Sequence, residues 1–241
     1  VKMSVETIRP ADLKRIPSFG GQADLVQALQ VMPGFIFTGD QGGQLYIRGG
    51  SPIQNKVILD GMIIYNAFHS IGLFSVFDSD ALANADIYTG AFSAKYGGRI
   101  SSVMDIRTRN GNMMETDVKF GVSPFGAKVL LEGPIKQMSN GVGGASYLIS
   151  IKNSYLDRTS EILYPYIDGG KLPFGFTDTY GKITFGGGGS KLSLFGFNFN
   201  DRASVLNDST GLSFADYLWN SYGFGGNFTI VPPGSSVLVN G

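Results

Sequence analysis

Few residues in this 241-residue chain are equipped for covalent chemistry. His69 is the single histidine and there is no cysteine. No histidine pair for a metal or proton relay, and no thiolate nucleophile, can therefore be assembled. Asp60 follows an apolar run and precedes Gly61, which reads as a tight turn rather than as a carboxylate with a catalytic partner. Gly186 to Gly189 precede Ser190-Lys191. The spacing G-x-x-x-x-G-K-[ST] that cradles phosphate is absent, and the flanks read as strands. Asn207-Asp208-Ser209 and Asn227-Phe228-Thr229 match a glycosylation pattern short enough to arise by chance. With no recognisable Ser/His/Asp set or carboxylate pair, the residues point to binding rather than catalysis, without cofactor or resident metal.

Composition narrows the class. Nineteen basic residues balance nineteen acidic ones, so nothing electrostatic recruits nucleic acid. Charged residues are 16% of the chain, against about 25% in soluble domains. Their place is taken by 35 Gly, with 18 Phe and 11 Tyr adding aromatic surface, a composition of short strands and turns rather than helices. The most apolar stretch, Val57 to Phe68, is broken by Asp60, Gly61 and Asn66. Nothing approaches the ~18 apolar residues of a membrane helix, so a membrane crossing would have to be a barrel. The chain begins at Val1 without initiator Met or signal peptide, and further chain is expected upstream.

Two grammars divide the sequence near Arg109 to Asn112. In the first, Leu25, Ala28, Leu29 and Met32 share a helical face, with Asp24 as N-cap and Pro33-Gly34 as the stop. Leu45–Arg48, Lys56–Leu59, Asp86–Tyr88 and Ser101–Thr108 read as short strands, and Asp78–Ala85 as a short helix, all joined by glycine-rich turns. In the second, residues alternate. Tyr222, Phe224, Phe228 and Ile230 oppose Ser221, Gly223, Asn227 and Thr229. Tyr147, Ile149 and Ile151 oppose Ser146, Ser150 and Lys152, and Val118, Phe120 and Val122 oppose Asp117, Lys119 and Gly121. Ala127, Val129 and Leu131 oppose Lys128 and Glu132. One apolar face against a small, polar and charged face fits a barrel with lipid outside and water or polar protein inside. Phe176 to Gly186 alternates poorly. From Lys191 to Asn200 the apolar parity switches from Leu192 and Leu194 to Phe195, Phe197 and Phe199, which suggests a bulge or a strand leaving the lipid band. Six or seven segments of membrane-strand length are expected after Asn112. The residues alone leave open a secreted or surface β-rich adhesion or binding protein.

Several motifs resemble the plug of TonB-dependent outer-membrane receptors. Ala28-Leu29-Gln30-Val31-Met32-Pro33-Gly34-Phe35 resembles the family's leucine-plus-Pro-Gly segment, Leu45-Tyr46-Ile47-Arg48-Gly49-Gly50 its I-R-G strand, and Val57-Ile58-Leu59-Asp60-Gly61 its L-D-G turn. Ile87 to Arg99, with Gly90-Ala91-Phe92-Ser93-Ala94-Lys95-Tyr96-Gly97, resembles its "G-x-x-x-A-x-Y-G" element, and Ser101 to Thr108 the closing strand. Leu131-Glu132-Gly133-Pro134-Ile135 is similar to family barrel sequence. Their order and spacing cover nearly the whole first half. Gly98-Arg99-Ile100-Ser101-Ser102 stands where the glycan-importing branch has Ala-Ala-Asn-Gly, which points away from a polysaccharide.

The resemblance implies an α+β plug, a small mixed sheet with short helices, over residues 1–110. Antiparallel transmembrane β-barrel strands follow over 111–241. A plugged barrel takes about 22 strands, so the barrel is incomplete here and the chain is expected to be part of a longer protein. It further implies active transport across the cell outer membrane, without enzymatic activity, of a scarce or large nutrient such as an iron chelate or cobalamin. The implied partners are TonB, outer-membrane lipid and the small-molecule or chelate ligand, with room for an outer-membrane lipoprotein. Val1 to Ile8 contain no TonB-binding box, which is expected upstream. Ile63 to Leu73 corresponds to a loop at the plug apex, so Tyr65, Asn66, Phe68 and His69 are expected ligand contacts. The family also implies that Arg48, and with it Arg99 and Arg107, form ionic contacts between plug and barrel, where a buried charge persists only when paired. The polar stretch Asp201 to Asp216 is expected to be an extracellular loop.

Overall fold

The computed structural model describes residues 5–18, 21–38, 44–70, 72–137, 143–163, 165, 172, 174–206, 213–231 and 238–241. In chain order the elements are β1 (Val5–Ile8), α1 (Pro10–Leu13), α2 (Leu25–Gln30), β2 (Phe35–Thr38), β3 (Gln44–Ile47), β4 (Asn55–Leu59), β5 (Met62–Ile64), β6 (Leu82–Tyr88) and β7 (Ser102–Thr108). Then come β8 (Asp117–Ser123), β9 (Gly126–Lys136), β10 (Gly144–Ser154), α3 (Leu156–Leu163), β11 (Phe174–Gly187), β12 (Ser190–Leu206), β13 (Ser213–Ile230) and β14 (Val239–Asn240).

The N-terminal unit is a five-stranded sheet in the order β1-β6-β7-β4-β5 with a separate β2-β3 hairpin. Only β4 and β7 run parallel within the larger sheet, so the sheet is mixed. α2 starts where the Asp24 carboxylate accepts the Val26 amide at 2.9 Å, satisfying one otherwise unpaired donor of the first turn. Its Leu25, Ala28 and Leu29 join Leu59, Ile87, Met104 and Ile106 in the main core. The expected helix over Asp78–Ala85 does not form: the chain turns at Asp78 and enters β6 at Leu82. Leu82, Ala85 and Ile87 are buried, but antiparallel pairing with β7 organises the segment instead of a helical stripe. Asp60 (φ 48) and Gly61 (φ 95) form the two-residue tip between β4 and β5, both in the positive-φ region such a hairpin requires.

The second unit is a seven-stranded antiparallel meander, β8 through β14 in sequence order. Gly188 (φ 59) and Gly189 (φ 82) make the two-residue turn between β11 and β12, which disposes of any phosphate loop there. The outward face carries Phe120, Ile149, Ile183, Leu192 and Phe224, the last 88% exposed. The inward face packs on the N-terminal unit, and Leu130, Leu148, Tyr180, Phe195 and Phe199 belong to the same core as that unit.

Strand orientation is regular where hydropathy was not. Along β11, Phe176, Asp178, Tyr180, Lys182 and Thr184 all point inward and are buried. Alternation looked poor because that face matches a mixed polar and aromatic neighbour. Along β12 no bulge separates Leu194 from Phe195, and pairing on both sides stays in register through Ala203. Phe195 and Phe199 face inward, against the N-terminal unit, while the outward positions turn polar at Asn198, Asn200 and Arg202. Most of the stretch expected to be a loop is strand: β12 runs to Leu206 and β13 resumes at Ser213. Asn207-Asp208-Ser209 lies outside the described residues.

Candidate functional site

Period-2 geometry sends Lys128 of β9, Lys152 of β10 and Lys182 of β11 to the inner face of the long sheet. Each meets carboxylate from the N-terminal unit. Lys128 Nζ donates to Asp78 Oδ1 at 2.8 Å and Asp80 Oδ2 at 2.7 Å. Lys152 lies 3.8 Å from Asp24 and donates to the carbonyls of Ser75 and Phe77. Lys182 lies 3.5 Å from Asp60 and donates to Thr108 Oγ1 at 3.0 Å. One pair has the opposite sense: Arg109 grips Glu132 with both guanidinium nitrogens, the second at 2.6 Å, and the Asn112 amide donates to the same carboxylate. Buried charge is tolerable only with such pairing and hydrogen bonding.

The hairpin tip shows how local geometry serves this seam. Asp60 accepts from the Thr108 amide (3.1 Å) and hydroxyl (2.6 Å) and from the Tyr180 hydroxyl (2.6 Å), while its backbone carbonyl accepts from Asn227 at 2.9 Å. Met62 beside it enters a slot between Gly223 and Gly225. A Cβ at Gly225 would stand 2.8 Å from its sulfur and 2.9 Å from the Phe195 ring. Asp80 has its carboxyl pushed up by burial but pulled further down by the Lys128 ammonium, to a net value below the ordinary 3.8.

The loop over residues 65–77 joins the seam to open space. Tyr65 is 79% exposed. Asn66 and Phe68 are half-buried, Phe68 standing edge-on to Phe37 at 5.3 Å. With Tyr46, Ile53 and Trp219 these residues line a cleft of about 690 Å³. Trp219 was not anticipated; its inward parity on β13 was the signal for it. His69, expected among the ligand contacts, does not line this cleft. It is 1% exposed, stacked on Phe176 at 3.7 Å, with Nε2 2.8 Å from Asp178.

The arginines expected to bridge the two units do not do so among the described residues. Arg48 is exposed on a positive-φ backbone (φ 47), after β3 has ended. Arg99 is exposed and donates to the Gly98 carbonyl at 3.0 Å. Arg107 pairs with Asp105 of its own strand at 3.2 Å. The ionic contacts run chiefly from sheet lysines to carboxylates of the N-terminal unit. Asp78 and Asp80 were hidden inside a segment read as helix, and Asp60 was read only as a turn. No cluster of metal-ligating side chains occurs among the described residues.

A family model described as the TonB-dependent receptor plug domain matches residues 1–103. No curated protein sequence matches. Among solved structures, a ferric enterobactin receptor (PfeA) mutant from Pseudomonas aeruginosa superposes with a TM-score of 0.61 at 17% identity, over 94% of this chain and 38% of that one. P. aeruginosa FpvA bound to heterologous pyoverdines gives 0.64 at 12% identity, over 96% of this chain and 32% of that one. The FrpB iron transporter from Neisseria meningitidis gives 0.64 at 13%, over 98% and 38%. The chain thus spans about a third of the length of these receptors. The first 103 residues thus match the plug domain of TonB-dependent receptors, and the antiparallel strands that follow have the fold of part of the barrel wall in the similar structures.

Proposed function

We propose that this chain is the plug (1–110) and first wall strands (111–241) of a TonB-dependent active transporter in the cell outer membrane, not an enzyme. The observation that carries the reading is the seam. A sheet with an apolar outer face holds the plug on its inner face through paired charges as well as apolar contacts, and a junction of that kind can be sealed at rest and parted under load. Outward residues on β12 change from Leu192 and Leu194 to Asn198, Asn200 and Arg202. That pattern suits a strand leaving the lipid band on the extracellular side. The α3-bearing connection lies at the same end, and the Gly188-Gly189 turn at the opposite, periplasmic one.

The cargo is a scarce or large nutrient, an iron chelate, cobalamin or similar compound. The similar structures described as a ferric enterobactin receptor and an iron transporter support the iron chelate. Ligand enters the cleft at Tyr65, Asn66 and Phe68, with His69 behind them. TonB, engaging a segment upstream, supplies the work, since binding alone shifts an equilibrium only through differential affinity. In the full-length receptor, ferric-chelate uptake should stop when the proton gradient is dissipated, and the protein should stay in the outer membrane after salt washing. Uptake indifferent to the gradient would indicate a passive channel, and release by salt would favour the surface adhesion protein. Tyr65→Ala with Phe68→Ala should weaken binding of the transported chelate about tenfold, since aromatic anchors dominate such sites, while the barrel still inserts. Unchanged affinity would remove the cleft as the ligand site.

A further inference from the structure

We propose that His69 is a proton-operated clamp holding the 65–77 loop to the wall. Its ring is enclosed between elements of both units. Nε2 lies 2.8 Å from Asp178 of β11, and Nδ1 lies 3.8 Å from Asp201 of β12 and has no hydrogen-bond partner. Asp201 is already tied to the same loop, accepting from the Ser70 amide at 2.7 Å and its hydroxyl at 2.5 Å. Asp178 also faces Lys152 of β10 at 3.5 Å, and Lys152 faces Asp24 at the start of α2 at 3.8 Å. Three carboxylates therefore surround one ammonium and one imidazole.

A neutral imidazole has one N–H to donate, to Asp178, and leaves its other nitrogen as a lone pair beside Asp201. The imidazolium has two, so a small closure of the 3.8 Å gap gives it a charge-assisted bond to each of two wall strands. Through His69, the acid form thus fastens the loop at two points and the neutral form at one, in addition to the Ser70–Asp201 bonds that both forms keep. The clamp is complete at low pH and is lost as pH rises. The loop it fastens is the one that carries Tyr65 and Asn66 into the cleft.

Hydrogen exchange in the full-length receptor tests this without any transport measurement, so it stands or fails apart from the uptake reading. The loop amides of His69 and Val76, bonded to the carbonyls of Phe74 and Ala67, should lose about tenfold protection, the worth of one charge-assisted bond, on going from about pH 5 to about pH 8 after correction for intrinsic rates. His69→Gln keeps a donor toward Asp178 without titrating, and should flatten that profile. Asp201→Asn keeps an oxygen for Ser70 but removes the charge, and should flatten it too. A wild-type slope that persists in either variant overturns the clamp. So does a His69 imidazole NMR signal that does not titrate in this range, which decides the matter even if the His69 variant fails to fold.

Discussion

Two parts of the inner wall hold the plug in different ways. Strands β9 to β11 present Lys128, Lys152 and Lys182 to plug carboxylates. Strands β12 and β13 present Phe195, Phe197 and Phe199 beside Gly223 and Gly225, and receive Met62 as a knob in a slot. One half depends on charge neutralisation, which fails badly when one partner is lost. The other depends on shape, which fails in proportion to the volume added or removed. The gate proposed above, tight at rest and parting under load, is better served by the first kind, because paired charges regain water as soon as the seam opens.

The largest expected effect follows from breaking the polar half. Asp60→Ala strands Lys182 among buried groups and should destabilise plug docking by about 3–5 kcal/mol. Asp60→Ala with Lys182→Met should recover most of that loss. Urea-dependent proteolysis of the plug in the inserted receptor measures both, and equal stability of single and double variants would show that the pair is not a unit. Next comes the shaped half: Gly225→Val overfills the Met62 slot and should cost about 1–3 kcal/mol, with Met62→Ala in the same protein relieving it. If the polar-half and shaped-half losses prove the same, the contrast drawn above disappears.

Acid should weaken the polar half alone. The folded-state value of Asp80 is depressed, so its contribution is present above 3.8 and is lost as pH falls through the lower value set by Lys128. Asp80→Asn should remove part of the acid sensitivity of plug release, whereas Gly225→Val should leave it intact. The smallest effect is expected at Arg48, which is exposed and bridges to no wall strand among the described residues. Arg48→Ala should change plug stability by no more than about 0.5 kcal/mol, and a larger loss would reveal a partner beyond the described wall.

Local rules reached a good part of this architecture. The Asp24 cap, the Asp60-Gly61 turn, a turn within Gly186 to Gly189, and the alternation of β8, β9, β10 and β13 were legible because each depends on near neighbours along the chain. The family motifs added the plug. What escaped were features whose cause lies across the seam. Phe195 to Phe199 looked out of register because alternation was judged against water and lipid, whereas their inward neighbour is an apolar part of the plug. Asp78 to Ala85 carried a helical spacing of apolar residues, but β7 offered a strand partner from more than twenty residues away and took the segment. Lys152 and Asp24, far apart in sequence, are neighbours only once both sheets exist. His69 could be counted from the sequence as a lone histidine. Its enclosure by Phe176, Asp178 and Asp201 belongs to the tertiary structure, because pairing of buried charge is satisfied in space and leaves no periodic trace along the chain.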